Sequence, residues 1–181
     1  MPAGFFAREV LDLARALLGQ RLVRGGVGGV IVETEAYHQR EGACHAHGGR
    51  TARNASLFLG GGHLYVYRIH QSTCLNVVAD PAGEGAAVLV RALRPELGRE
   101  EIALRRAGRP EREWTNGPGK LCLALGVTLA DDGARLGEDP ADGVERVELC
   151  LGPGAEGGRV LRGPRVGISR AKALPWRFRL V

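Results

Sequence analysis

The chain has 181 residues, of which 44% are hydrophobic, and its formal charge at neutral pH is +5. A chain of this size fits one compact domain that buries roughly 70% of the surface exposed by the unfolded form. Apolar runs long enough for a membrane span are missing, and acids and arginines interrupt the N-terminal apolar stretch, so we expect a cytoplasmic protein with no signal peptide and no membrane association.

The first predicted element is a helix, whose apolar positions are Phe6, Val10, Leu13 and Leu17. Gly19 is suited to end it. Residues 21–24 and 29–37 then read as two strands of a hairpin through the turn GGVGG.

The central part of the chain alternates strands with helices. Strands are predicted over residues 63–69, 73–79 and 86–93. Pro95 and Glu96 are expected to begin a helix that ends near Ala107, with its charged residues facing solvent. In NGPGKLCLALG, Asn116 and Pro118 favour another helix start and Gly126 a helix end.

The C-terminal part predicts strands over residues 144–151, 159–168 and 176–181, joined by turns rich in Gly and Pro. The sequence has no internal repeat and no long linker. We therefore expect an α+β fold in a single domain, residues 1–181, with a curved, mostly antiparallel β-sheet flanked by helices.

The motif IVETEAY concentrates polar groups on one strand. Side chains alternate along a strand, so Ile31, Glu33, Glu35 and Tyr37 should share one face. The opposite face is expected in the core and consists of Val30, Val32, Thr34 and Ala36. Without further context, two acids on a strand most often form a solvated face.

The segment GHLYVYRIH contributes the other two tyrosines of the chain, Tyr65 and Tyr67. Tyrosines in strands usually pack in the core. Beside a carboxylate, however, a flat aromatic slot is suited to hold a planar ring while a neighbouring water is activated.

The grouping of His38, Cys44, His45 and His47 is too loose for a structural zinc site, which usually has two tight ligand pairs. The four cysteines are far apart and form no CxxC pair, so we expect reduced thiols. We expect no metal and no cofactor.

The positive charge makes nucleic acid one candidate partner, because nearly all basic residues are arginines, whose planar donors match phosphate oxygens. GC-rich coding also favours arginine, so charge alone leaves the partner open.

Several motifs, taken in order, resemble the alkyladenine (3-methyladenine) DNA glycosylase family: IVETEAY, HAHGGRTARN, LYVYRIH, CLN, VLVRAL, GPGKLC and RVGI. The resemblance runs from about Leu11 to Phe178. It implies a DNA repair enzyme that flips a damaged purine out of double-stranded DNA, stacks it between aromatic rings and hydrolyses its N-glycosidic bond with an activated water. We expect a monomer, associated with the nucleoid if the source is a bacterium.

The resemblance also implies roles for individual residues. Glu35 matches the general base, and Arg91 and the backbone carbonyl of Val166 match groups that place the attacking water. Stacking between electron-rich rings would favour a cationic methylated purine by about 0.5 to 2 kcal/mol. The walls and floor of the base pocket match Tyr37, His45, Tyr67 and Asn76. His38 and His47 have no such match, and we expect them at the surface near DNA.

The family commonly has a tyrosine at the tip of a protruding hairpin that inserts into DNA, and this sequence departs from that pattern. In YVYRIHQSTC, His70 stands in the wedge position, Gln71 replaces a glycine and the turn is one residue shorter. A histidine wedge predicts a weaker hold on the flipped state. The residues expected to face the DNA backbone are Arg50, Arg53, Arg68 and Lys120.

Because no lysine falls in the matched pocket, we expect a monofunctional glycosylase that leaves an abasic site. Two other functions stay open from the sequence. One is a non-catalytic binder of damaged or distorted DNA. The other is a glycosidase acting on sugars or nucleosides through Glu33 and Glu35, since residues i and i+2 of a strand lie about 6.5 to 7 Å apart.

Overall fold

The computed structural model describes residues 4–137, 146–152, 154–155 and 158–181. Its α-helices are α1 (Val10–Ala16), α2 (Arg99–Arg105) and α3 (Pro118–Leu125). Its strands are β1 (Arg21–Arg24), β2 (Val27–His38), β3 (Leu64–Ile69), β4 (Ser72–Val78), β5 (Ala86–Leu97), β6 (Val147–Cys150), β7 (Val160–Gly163) and β8 (Arg177–Leu180). The predicted α+β class is confirmed.

Within the described residues the strands form one antiparallel sheet, in the order β3-β4-β5-β2-β1-β6, with β8 paired to both β2 and β7. Strand β2 is central. One of its edges pairs with β5 along almost its whole length, while the other pairs with β1 near its start and with β8 at Glu33, Thr34 and Glu35. The acids of IVETEAY therefore lie where the sheet branches.

A β-bulge in β2 changes the predicted alternation. The pairing with β5 shifts register between Ile31 and Glu33 and again between Glu33 and Thr34. Such an irregularity reverses which face a residue occupies. Ile31 consequently packs in the main core with Ala36, and Val32 is only half-buried. The prediction that Ile31 shares a face with Glu33, and that Val32 belongs to the core, is wrong.

The second helix begins later than predicted. Pro95 and Glu96 belong to β5, where Pro95 pairs with Gly29 and Glu96 accepts a hydrogen bond from Arg21 Nε at 2.9 Å. Helix α2 starts only after Gly98, whose φ of +61° is a left-handed conformation that favours glycine. Pairing with β2 thus overrides the local preference of Pro and Glu for a helix start.

The other predicted elements are close to those observed. Helix α1 is confirmed, although Phe6 precedes it, and helix α3 has Pro118 in its first turn and Gly126 at its end. The hairpin turn uses only Gly25 and Gly26, since β2 already begins at Val27. The strand predicted over residues 159–168 ends at Gly163, and residues 164–168 form a loop. Residues 144–145 of another predicted strand lie outside the described residues.

The two faces of the sheet are covered differently. The main core contains the inward faces of α1 and α3 and includes Leu13, Leu121 and Phe178. A smaller apolar cluster on the other face includes Cys44 and Tyr65, with Tyr37 and Tyr67 packed against it. The tyrosines of β2 and β3 therefore meet on the face away from the main core.

No helix among the described residues has the length and apolar character needed to cross a bilayer.

Candidate active site

The carboxylate of Glu35 is held by three donors. Its Oε1 accepts a hydrogen bond from the backbone N–H of Val166 at 2.8 Å. Its Oε2 accepts one from the Tyr37 hydroxyl at 2.8 Å and one from Arg91 Nη1 at 3.3 Å. The residue is 0% exposed. The expectation of a solvated face is therefore wrong for this acid.

Glu33 is engaged by two arginines instead. Arg91 Nε and Arg177 Nε each donate to Glu33 Oε1 at 2.7 Å. Burial alone would raise the pKa of Glu33, but the hydrogen bonds and charges of Arg177 and Arg91 outweigh it and hold that pKa below its ordinary value. Burial likewise disfavours the charged form of Arg91, yet the charges of Glu35 and Glu33 raise its pKa. Arg91 is thus a permanent cation that connects the two acids.

A cavity of about 630 Å³ opens beside these groups. Its size is typical of small-molecule sites. Tyr37, Arg91 and Val166 all line it, and these are the same residues that donate to Glu35. The carboxylate therefore lies immediately behind the cavity wall. The lining also includes His45, Tyr65, Tyr67 and Asn76.

Aromatic rings form one side of this cavity. The His45 and Tyr67 ring centroids are 4.5 Å apart, with the rings edge to face. Tyr65 stacks on Tyr67 at 5.3 Å, and its hydroxyl lies 2.9 Å from His45 Nδ1. The family resemblance gives Tyr65 no pocket role, whereas its spacing of two from Tyr67 predicts that both lie on one face of β3.

The tyrosines of the cavity are neutral at physiological pH. Burial raises the pKa of Tyr37, and the neighbouring Glu35 charge raises it further. Burial also raises the pKa of Tyr67, and it raises that of Tyr65 to about 12. All three rings therefore keep their hydroxyl protons. The buried Asn76 also lines the cavity, and it donates from Nδ2 to the Tyr65 carbonyl at 2.9 Å, which fixes its amide.

Residues 4–181 match the family model described as Methylpurine-DNA glycosylase (MPG). The chain belongs to the methylpurine-DNA glycosylase family. A relative from Granulibacter bethesdensis is 46% identical over an alignment 181 residues long, which covers 98% of this chain and 82% of the relative. Another from Agrobacterium fabrum is 44% identical, with 99% and 88% covered, and both are named "Putative 3-methyladenine DNA glycosylase". The protein is therefore a DNA glycosylase of base excision repair.

A buried ion pair lies behind Tyr37 in this methylpurine-DNA glycosylase. Arg165 donates from Nη1 and Nη2 to the two carboxylate oxygens of Glu41 at 2.7 and 2.8 Å. The guanidinium lies 4.5 Å from the Tyr37 ring centroid. Burial would raise the pKa of Glu41, but the bonds from Arg165 and from the Ala43 amide lower it. No local sequence pattern predicts this ion pair, because 124 positions separate the two residues.

The hairpin β3–β4 carries the predicted wedge at its tip. His70 is exposed and has a φ of +50°, a left-handed conformation in which histidine is enriched among non-glycine residues. Beside it, Ile69 is 49% exposed and also lines the cavity. His70 and Gln71 thus form a two-residue turn next to Ile69, which belongs to the cavity lining.

The predicted backbone-binding residues lie on both sides of this hairpin in the glycosylase. Arg53 and Arg68 line a second groove that shares His45 and Tyr67 with the cavity. Lys120 lines a third, beside β4, but it donates to Asn116 Oδ1 at 2.8 Å and lies 3.8 Å from Glu113. Arg50 is exposed in the loop before Ala52–Phe58. Glu113 partly neutralises Lys120, whereas the arginines face solvent.

The remaining histidines of the loop have local partners. His38 is buried and lies 3.1 Å from Glu84, so its predicted surface position is wrong. His47 is exposed, and its Nδ1 lies 3.1 Å from the Gln39 carbonyl. The described part of the chain contains no cluster of three His, Cys, Asp or Glu residues able to hold a metal ion. All four cysteines are free thiols.

The pKa of His45 makes the folding stability of this methylpurine-DNA glycosylase depend on pH. Partial burial and the nearby Arg53 charge lower its pKa, so the neutral ring predominates at pH 7. The folded state therefore binds fewer protons here than the unfolded chain, and this contribution to stability declines as pH falls through the ordinary histidine range. Replacing Arg53 with Gln should raise the pKa of His45 part of the way back, as followed by NMR titration of the ring protons. An unchanged titration would show that Arg53 exerts no field on this ring.

Proposed function

We propose that this glycosylase removes methylated purines, 3-methyladenine among them, from double-stranded DNA by hydrolysis of the N-glycosidic bond. The observation that carries the proposal is that the acid lies just behind the wall of the base cavity, since Tyr37, Arg91 and Val166 line the cavity and also donate to Glu35. A base held in the cavity would have its sugar beside that carboxylate. The names of the relatives point to the same substrate class.

The damaged nucleotide leaves the duplex and its base enters between Tyr37 on one side and His45 and Tyr67 on the other. Neutral tyrosine rings attract a positively charged alkylated purine by about 0.5 to 2 kcal/mol more than they attract an uncharged base. The neutral state of His45 avoids repulsion of the same cation. We assign to Asn76, another residue of the cavity lining, the role of disfavouring the exocyclic amine of undamaged guanine.

Glu35 acts as the general base in this reaction. A water attacks C1′ of the sugar, its proton passes to the carboxylate, and the C1′–N bond electrons neutralise the positive charge of the departing base. Negative charge beside the sugar also stabilises its developing cation. Among the described residues Oε1 receives one donor and Oε2 two, so the water is expected to bind at Oε1, next to Val166.

Water is favoured over a protein nucleophile by the chemistry of the wall. Among the described residues that line the cavity there is no lysine, so the lining offers no side-chain amine that could form a Schiff base. Its two cysteines remain thiols, because burial raises the pKa of Cys44 to about 11 and also raises that of Cys74. We therefore propose a monofunctional reaction that leaves an abasic site.

The sugar glycosidase alternative fits the geometry poorly. An inverting pair needs one carboxyl group that is protonated at neutral pH. Arg177 and Arg91 hold the pKa of Glu33 below its ordinary value, and both donate hydrogen bonds to its Oε1. Glu33 is therefore unsuited to donate a proton to a leaving group.

The function is tested on duplexes that each carry one lesion: 7-methylguanine, hypoxanthine or ethenoadenine, with methylated genomic DNA as the source of 3-methyladenine. We expect release of the free methylated base, strand cleavage only after alkali, and no enzyme–DNA adduct after borohydride reduction. Strand cleavage without alkali, or a trapped adduct, would contradict the monofunctional mechanism. Failure to release any purine would refute the proposed function.

We further propose that His70 fills the space left by the flipped nucleotide while Arg50, Arg53, Arg68 and Lys120 contact phosphates. Asn tolerates the left-handed backbone at position 70 but lacks the imidazole ring. His70→Asn should therefore weaken the affinity for a lesion duplex by roughly tenfold, since stacking on a base contributes about 1 to 3 kcal/mol. His70→Tyr should bind the same duplex at least as tightly as the wild type. Fluorescence anisotropy measures both affinities, with Leu104→Ala, a change at an exposed position of helix α2, as control. Unchanged affinity in both His70 variants would remove the wedge assignment.

A further inference from the structure

The Arg165 guanidinium occupies a closed site between two aromatic rings. Its side chain is 0% exposed. It lies 4.5 Å from the Tyr37 ring centroid and 5.4 Å from that of Trp176. Tyr37 lines the cavity and Arg165 does not, so the guanidinium packs from outside the lining on a ring that borders the cavity.

This one side chain joins three segments of the site. Arg165 Nη1 donates to the Ala36 carbonyl of β2 at 2.8 Å, between Glu35 and Tyr37. Its bidentate contact with Glu41 reaches the loop that leads to His45. Its own backbone continues directly into Val166, whose N–H binds Glu35 Oε1 at 2.8 Å. Displacement of Arg165 would therefore disturb both the acid and the aromatic wall.

Stability alone does not account for a buried ion pair at this point. Apolar replacements of buried pairs are often neutral or stabilising by about 1 to 4 kcal/mol, because two charges must be desolvated. Arg165 Nε has no hydrogen-bond partner within the described residues, so the site leaves part of that cost without compensation. An apolar pair could not make the hydrogen bonds by which Arg165 connects the Ala36 carbonyl to Glu41 and holds the backbone that leads into Val166.

We propose that Arg165, held by Glu41, is a positioning residue for base excision: it fixes the Val166 amide on Glu35 and the Tyr37 ring beside the cavity. It touches neither the water nor the base and acts through these two neighbours. The inference rests on the proposed hydrolysis by Glu35. It adds an ion pair, outside the cavity wall, on which the rate of that hydrolysis depends.

The first test is Arg165→Lys, which keeps the charge but loses the planar fork. Single-turnover excision of 7-methylguanine at saturating enzyme should slow at least tenfold, while the Kd for the same duplex changes less than twofold. Glu41→Gln should give the same split between rate and affinity. Arg162→Lys is the matched control and should match the wild type, because Arg162 is an exposed arginine stacked on Phe178 at 5.5 Å.

The second test separates positioning from general support of the fold. The double variant Arg165→Met with Glu41→Leu removes both buried charges and should recover the thermal stability that either single change loses. Its excision rate should remain at least tenfold below that of the wild type. Recovery of the rate together with stability, or an unchanged rate in Arg165→Lys, would overturn the inference. A wild-type protein that releases no base would instead refute the proposed function, and the positioning role with it.

Discussion

Glu35→Gln should reduce base release from a lesion duplex by roughly 10²- to 10⁴-fold, the usual contribution of a general base. The substitution preserves the size of the side chain but removes the proton acceptor and the negative charge beside the sugar. The three donors on the carboxylate lie in the cavity wall, so binding of the base should change little. Single-turnover kinetics with excess enzyme measures the rate, and fluorescence anisotropy measures the affinity for the same duplex.

Glu100→Gln is the control for this experiment, because Glu100 is an exposed carboxylate in the first turn of α2. It should have the wild-type rate and affinity. A Glu35→Gln protein that excises at the wild-type rate would exclude Glu35 as the base. Lesion-specific binding without release in the wild type would describe a non-catalytic binder of damaged DNA.

Phe178→Ala should lower the free energy of unfolding by about 3 to 5 kcal/mol, the range for loss of a large aromatic side chain from a core. Phe178 is fully buried, and its ring is flanked by the guanidinium groups of Arg15 and Arg162 at 5.1 and 5.5 Å. It pairs with Thr34, next to Glu35, so the loss would also loosen the branch point of the sheet. Urea denaturation followed by circular dichroism measures the change.

Leu104→Ala is a suitable comparison, because Leu104 is 72% exposed on α2. Surface changes of this kind usually alter stability by no more than about 0.5 kcal/mol. A loss below about 1 kcal/mol in Phe178→Ala would mean that the core refills the space, contrary to the usual cavity cost.

Much of the fold could be predicted because apolar periodicity and turn residues are local signals. Helix α1, the hairpin β3–β4 and helix α3 follow them closely. The start of α2 could not be predicted in this way, since pairing of β5 with β2 decides the conformation of Pro95 and Glu96. The bulge near Glu33 has the same cause: register depends on the neighbouring strand, which the local pattern does not reveal.

The candidate site shows a similar division. The motifs ETEAY and LYVYRIH predict Glu35, Tyr37 and Tyr67 as site residues. The structure brings the two tyrosines into the lining of one cavity and Glu35 into contact with Tyr37. The sequence did not reveal how completely Glu35 is enclosed, because Val166 reaches it from 131 residues away. Nor did it reveal the pair of Arg165 and Glu41, since no local pattern relates two residues at such a separation.

The Tyr37 side chain has a consequence for how this enzyme could change its range of lesions. Its ring lines the cavity in which we propose that the purine binds, and its hydroxyl donates to Glu35 Oε2 at 2.8 Å. Exchange of this tyrosine for a ring of another shape would admit different bases but would also alter the basicity of the carboxylate. Selection for a new lesion at this position therefore cannot proceed independently of selection for turnover.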